Sequence, residues 1–487
     1  MPYDWEPRPQ LHGHSYCLHE NMKNNYRKMT KLVLYPAPDC GFLSAIGAHS
    51  NAWIFAIFFA GILVQSSVNA EEILEIRIEQ GVESALPIAI VPFDWSADVP
   101  PSEDVSAIIA ANLKSSGLFV PMSVGDLPSR PAKFSDVNFK DWRLLGMENL
   151  LIGEIQQISP EQFSVEFRLI DVYNKKQIIG FRIPSGIKNL RQTAHHISDI
   201  IYEAILKTKG AFATRIAYVT VEKSRDGAGK LKQRYRLQVA DSDGYNARTI
   251  LESKEPLLSP AWSPNGERIT YVSFEDKNSA IYIQNIRTGE RKKIVSGAGI
   301  NSSPAFSPDG TRLAVTRSKQ GNPDIYVVDI ATGRQRRLTT HVAIDTEASW
   351  LPGGNDIVFT SDRGGGPQIY KMNVGGGTPQ RLTFGMGSYN AKASVSPDGK
   401  RLAIVNGGGN GYRIGVLNLT DDSFEILTKS RLDESPSFAP NGAMIIYATM
   451  GRRGTELAAV SVDGRVRQRL GVQQGEIREP AWGPLKQ

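Results

Sequence analysis

At 487 residues, 41% apolar and 22% charged, the chain falls among globular proteins and is too long for one ordinary domain. A formal charge of +6 is mild for that length; it supports solubility and gives no argument for nucleic-acid binding. Both cysteines, Cys17 and Cys40, lie in the first 70 residues, so export with removal of that part would exclude a disulfide scaffold and thiol catalysis.

Ala52 to Val64, AWIFAIFFAGILV, is a run of thirteen apolar residues without a charge, short of the ~20 that span a bilayer. The polar stretch QSSVNA follows, with Val68 and Ala70 placed as a signal peptidase favours, and Arg27, Lys28 and Lys31 lie upstream. Residues 1–70 therefore read as a leader with a secretory signal cleaved after Ala70; an uncleaved membrane anchor is the alternative. In-frame Met22 and Met29 place the expected translation start downstream of Met1. The mature chain would keep a charge of +5, because the leader holds five basic and four acidic residues. It would keep three histidines, His195, His196 and His341.

Residues 71–85 begin EEILEIRIEQGVES, in which Leu74, Ile76 and Ile78 alternate with Glu75, Arg77 and Glu79, the pattern of a strand. Burying the three apolar side chains contributes about 5 to 8 kcal/mol, and fixing about six backbones costs about 6 to 12 kcal/mol. Terms so balanced let the segment either dock on its own protein or add as a strand to another.

Residues 86–209 read as an α/β domain. LPIAIVPF is a buried strand, and Ser102 is placed to cap a helix whose Val105, Ile108, Ile109 and Leu113 share one face. NLLIGEIQQI, FSVEFRLIDVY and QIIGFRIP are three consecutive strands. Leu190 to Leu206 is a helix with Ala194, Ile197, Ile200, Ile201, Ala204 and Ile205 at helical spacing. His195 and His196 fall on it; without cysteine or a carboxylate and histidine set at ligand spacing they are read as surface or satisfied histidines, with no metal site expected.

From residue 210 onward the sequence repeats. PAWSPNG, PAFSPDG, ASWLPGG, ASVSPDG, PSFAPNG and a truncated PAWGP place Trp262, Phe306, Trp350, Val395, Phe438 and Trp482 at intervals of 44, 44, 45, 43 and 44. Nineteen residues after the first five stand Ile281, Ile325, Ile369, Ile414 and Leu457; thirty-two after them stand Ile294, Leu338, Leu382, Leu427 and Leu470. Short alternating runs such as TRLAVTRS fill each unit with about four strands, and SPDG is the turn joining the first two, proline setting φ and glycine taking the left-handed conformation. Four strands in such a period form one blade of a β-propeller. RIAYVTVE, YRLQVAD and ARTIL lack an inner strand and Trp482 lacks outer ones, so the two ends are expected to pair and close a six-bladed ring over 210–487. The large anchors are read as filler between blades rather than stacking surfaces for a ligand. Lys292, Lys293, Arg336, Arg337 and Arg381 are read as charged outer edges rather than a nucleic-acid face.

Together, EIRIEQGVES, the α/β domain and six anchors ending in REPAWGP resemble the TolB family, periplasmic components of the Tol-Pal system of Gram-negative bacteria. The resemblance covers Glu71 to the C-terminus; the long leader departs from it. It implies a non-enzymatic adaptor, monomeric and without cofactor, that supports outer-membrane integrity and constriction at division. Family members bind the lipoprotein Pal at the propeller mouth, a face bacteriocins also use. There the resemblance points to Ile300, Asn301, Ser303, Thr346 and Glu347, although the family often has histidine where Ile300 stands. Their N-terminal segment goes to the inner-membrane protein TolA and corresponds to Glu72, Ile73, Leu74, Glu75, Ile76, Arg77, Ile78, Glu79, Gly81 and Val82. Pal binding is expected to bias that segment toward docking on its own protein.

Other classes stay open. A serine hydrolase with a propeller cap needs a G-x-S-x-G elbow, which the sequence lacks. A metal-dependent hydrolase needs converging carboxylates, for which Asp345, Glu347, Asp433, Glu434 and Glu479 lie near the right strand ends. A module binding cell-wall sugar is the third alternative.

Overall fold

A computed structural model describes residues 85–96, 103–225, 227, 229, 231–409, 411–451, 454–471 and 475–485. The leader, the segment Glu72–Val82 and Ser102 lie outside the described residues. Among the described residues no helix is long and apolar enough to cross a membrane.

The first lobe is one sheet with helices. β1 (Leu86–Ile90) pairs in parallel with β3 (Phe119–Pro121) and β4 (Asn149–Ser159), while β2 (Asp94–Ser96) pairs with the far part of β4. β4, β5 (Gln162–Asp171) and β6 (Lys176–Gly186) continue as antiparallel neighbours. Alternation along β1 sends Ile88 and Ile90 into one core with α1 (Val105–Ser115) and α3 (Leu190–Leu206), and Ala89 and Val91 into another around Trp142 of α2 (Phe139–Leu144). A strand buried on both faces must be apolar throughout, as LPIAI is. The cap of α1 differs from the expectation: Asp104, not Ser102, accepts the Ala107 N–H at 3.0 Å. Its carboxylate lies one residue before the helix, where the free N–H groups point.

The second lobe is a ring of six four-stranded blades. In chain order the inner strands are Leu257–Trp262, Asn301–Phe306, Asp345–Trp350, Tyr389–Val395, Asp433–Phe438 and Glu476–Trp482, hereafter blades one to six. The sixth closes the ring: Trp482 pairs with Ile216 and Ala481 with Ala217, so the C-terminal strand completes the sheet that begins at Arg215. Every blade thereby has its inner strand, and the two chain ends of the ring are joined within one sheet.

The anchors lie between blades. Trp350 is buried among Ala314 and Ile325 of blade two and Ile357 and Phe359 of its own blade, and its Nε1–H donates to the Ala305 carbonyl of blade two at 3.0 Å. Trp262 donates likewise to Ala481 across the ring closure at 3.1 Å. Arginines ride over these rings and reach the next turn: Arg312 stands 4.8 Å from the Trp350 ring and donates to Gly354, and Arg215 does the same over Trp262 to Gly266. In the turns themselves the glycine is left-handed, as at Gly310 with φ +69°, whose N–H closes on Ser307 at 2.8 Å.

The first lobe packs on the turn side of blades five and six. Asn441, in the blade-five turn, donates to the Lys209 carbonyl at 3.0 Å, and Val466 fills the space beside Gly117. Arg191 of α3 pairs with Asp243 and stacks on Tyr245 at 3.9 Å. Between the lobes runs a cleft of ≈ 710 Å³ lined by Ala107, Ala111, Phe212, Met444 and Trp482, among others. In an antiparallel blade the first-to-second and third-to-fourth turns share one side. The opposite side, where each outer strand returns to the next inner strand, is therefore clear of the first lobe.

Candidate functional site

The clear side opens on the central channel, and each inner strand breaks its ladder there at the same place. The register shifts between Leu258 and Ala261, Ser302 and Ala305, Thr346 and Ser349, Ala391 and Ser394, Glu434 and Ser437, and Arg478 and Ala481. Proline follows in four blades (Pro260, Pro304, Pro436 and Pro480), and a proline inside a sheet is accommodated at such a bulge because it has no N–H to give the ladder. The residue before it is left-handed in every blade: Ser259, Ser303, Glu347, Lys392, Ser435 and Glu479, with φ between 48° and 57°.

This ring is cross-linked from blade to blade. The N–H of Glu347 donates to Thr316 Oγ1 at 3.3 Å, and that of Lys392 to Thr360 Oγ1 at 3.0 Å. Thr360 in turn donates to the Glu347 carboxylate at 3.1 Å, and the Ser259 N–H donates to the Glu479 carboxylate. Lys392 reaches out of blade four to donate to Ser435 Oγ at 2.8 Å, with its Nζ 3.9 Å from Glu479 of blade six. Glu434 stands beside it. Burial holds its carboxyl above the ordinary range, Lys392 works against that, and Glu479 adds to it.

One step outward, six residues before each anchor, stand Pro256, Ile300, Ile344, Tyr389, Leu432 and Glu476. Five of the six are apolar or aromatic. Beyond them the return loops expose Val342, at 90%, and Phe384, at 65%. The mouth thus offers an apolar collar around a charged interior.

Of the residues picked from sequence, Ser303, Thr346 and Glu347 lie together at the bulges, Thr346 sharing a hydrogen bond with Thr316 at 3.2 Å. Ile300 is half-buried in the collar, its N–H held by Ser318 Oγ at 2.7 Å. Asn301 is placed differently: fully buried, it donates to the carbonyls of Ser279 and Gly297 and accepts from Arg317 Nε at 2.9 Å, fixing the loop that carries Ile300. Asp345 and Asp433, considered for a cation, are also withdrawn from the channel. Arg363 takes both Asp345 oxygens at 2.8 Å, and Thr449 donates to Asp433 at 2.6 Å. Sequence reasoning missed Lys392, Arg478, Val342 and Phe384. The signal for Lys392 was present, since the residue three before each anchor runs Ser, Ser, Glu, Lys, Ser, Glu while the residue after it is always Pro or Ala.

A second polar cluster sits between the lobes, and there the expectation for His195 needs correction: the fold does bring carboxylates to it. His195, Asp241 and Asp243 converge closely enough to hold a metal ion. Arg191 already serves both carboxylates, pairing with Asp243 and lying 4.0 Å from Asp241. His195 Nδ1 accepts from Asn112 at 2.9 Å, which leaves its Nε2 hydrogen directed to Asp243 at 3.5 Å. The set works as an interlobe clasp with its cation built in.

Comparison with known proteins agrees with this architecture. Residues 202–486 match the model of the TolB beta propeller domain and residues 74–178 that of the TolB amino-terminal domain. The chain is 60% identical over 420 residues to a Tol-Pal system protein TolB of Thioalkalivibrio sulfidiphilus, covering 86% of this chain and 95% of the relative. It is 56% identical over 438 residues to the protein of the same name from Nitrosococcus oceani, covering 90% and 100%. Among solved structures, TolB from Acinetobacter baumannii superposes with a TM-score of 0.76 at 41% identity, covering 85% of this chain and all of that one.

Proposed function

Since this chain belongs to the TolB family, we propose that it is a periplasmic, non-catalytic adaptor of the Tol-Pal system that carries one partner at each end. Pal docks on the propeller mouth around Ile300, Ser303, Thr346 and Glu347, with Asn301 holding the loop behind them. The mature N-terminal segment, Glu72 to Val82, adds to TolA as an extended strand. Through these contacts the protein supports outer-membrane integrity and constriction at division.

The observation that carries the first contact is the asymmetry of the ring. One side is occupied by the first lobe through Arg191, Asn441 and Val466, and the other presents exposed Val342 and Phe384 around the channel. Exposed apolar side chains grouped at a rim, with polar groups inside, suit a protein partner. Lining by buried anchors speaks against sugar stacking, because Trp350 and Phe306 face neighbouring blades.

Calorimetry of the chain from Glu71 onward with the soluble domain of Pal tests the proposal, beside a Ser303→Arg, Thr346→Arg double variant. Binding abolished in the variant supports the mouth. Binding kept moves the site elsewhere, and no binding by either protein refutes the adaptor reading.

A further inference from the structure

We propose that docking of the partner on the mouth is coupled to uptake of one proton by Glu434, so that the adaptor holds its partner more tightly as pH falls. This rests on the reading that the mouth is the docking face, and adds what regulates it.

Glu434 occupies the first position of the blade-five bulge, and charged or titratable groups act on it from the inner strands of both neighbouring blades and of blade three. Blade three offers Glu347, blade four Tyr389 and Lys392, and blade six Arg478 and Glu479. Three carboxylates thus meet two cations. Both cations are already engaged, Lys392 with Ser435 and near Glu479, and Arg478 with Glu476 at 3.1 Å. Among the described residues neither Glu347 nor Glu434 has a cation inside ion-pair distance, but Glu347 accepts a hydrogen bond from Thr360 at 3.1 Å, whereas Glu434 relies on solvent at the bulge, and burial already raises its pKa in the free protein.

The collar decides what docking adds. Pro256, Ile300, Ile344, Tyr389 and Leu432, with Val342 and Phe384 outside them, select a partner surface that is apolar where it covers the channel. Such a surface expels water and brings no compensating charge. Loss of water disfavours the ionised carboxylate further, so the Glu434 pKa rises again on docking.

The sign follows from linkage. Below the free-state pKa the carboxyl is already neutral and affinity is highest and independent of pH. Between the free and docked values docking draws protons from solvent, and affinity falls as pH rises. Above the docked value the loss levels off, having reached about tenfold for each unit by which docking raises the pKa.

The test is calorimetry with the soluble domain of Pal from about pH 5 to about pH 8 in pairs of buffers that differ in ionisation enthalpy. Net uptake peaking at about half a proton per complex, with affinity falling about tenfold over the range, is expected for the unaltered protein if docking raises the pKa by about one unit. Glu434→Gln should show neither effect and bind at high pH about as tightly as the unaltered protein does at low pH. Proton release, no exchange, or the same uptake in Glu434→Gln would overturn the coupling while leaving the docking site intact. Absence of binding at every pH overturns the adaptor reading and this inference with it. The buffer comparison needs no variant, so a misfolded Glu434→Gln does not shield the idea.

Discussion

The two sides of the propeller obey different rules. On the turn side the blades are near copies: the same left-handed glycine closes Gly266, Gly310, Gly354, Gly399 and Gly442, with φ from 68° to 72°. On the mouth side the backbone repeats as faithfully, with a bulge and a left-handed residue in every blade, yet the side chains there are Ser, Ser, Glu, Lys, Ser and Glu. Uniform side chains on uniform backbone are what ring closure requires. Varied side chains on that backbone place a specific surface on a rigid frame, where recognition is carried.

Substitutions can break this contrast, beginning with the frame. Trp350→Ala should cost about 3–5 kcal/mol, seen as a lower denaturation midpoint, because it empties the seam between blades two and three and removes the bond to Ala305. Arg191→Met should cost about 3 kcal/mol by leaving Asp243 and Asp241 without their cation, and should loosen the lobes from each other while the blades persist. Limited proteolysis near residue 209 reads that loosening.

Smaller changes sharpen the contrast. Alanine at Gly310 or Gly399 forces a Cβ into the left-handed region at about 1–2 kcal/mol each. Gly399 should suffer slightly more, since its new Cβ would meet Pro352 at 3.1 Å where that of Gly310 meets Pro264 at 3.5 Å. Glu347→Gln, in contrast, should move stability by less than about 0.5 kcal/mol and still weaken Pal binding. The smallest effect is in pH dependence. The folded pKa of Glu434 is raised above 4.5, so its ionisation opposes folding above that folded value, and the penalty disappears as pH falls below 4.5. Glu434→Gln should therefore be more stable than the parent at neutral pH and lose that advantage in acid, as thermal melts at the two pH values would show.

The frame was legible because it repeats. Anchors 43 to 45 residues apart, with their turns and the half-blade before Trp262, determine the number of blades and the closure at Trp482. The mouth was legible only in part. Its position follows from the strand order, but Asn301 and Ser303 are two residues apart on one strand, and the bulge between Ser302 and Ala305 decides which of them meets the channel. A period-two reading cannot see a bulge. Lys392 acts through its reach to blades five and six, 43 and 87 residues away, which local pattern does not encode. His195 and Asp243 likewise meet only when the lobes do.

The central claim is that the mouth, and not the turn side, is the docking face. Hydrogen exchange of the chain from Glu71 onward, with and without the soluble domain of Pal, tests it most directly. The account predicts slowed exchange in 297–304, 340–348 and 384–393 with none in the turns at 263–267 and 439–443. Protection confined to those turns or to the interlobe cleft would contradict it.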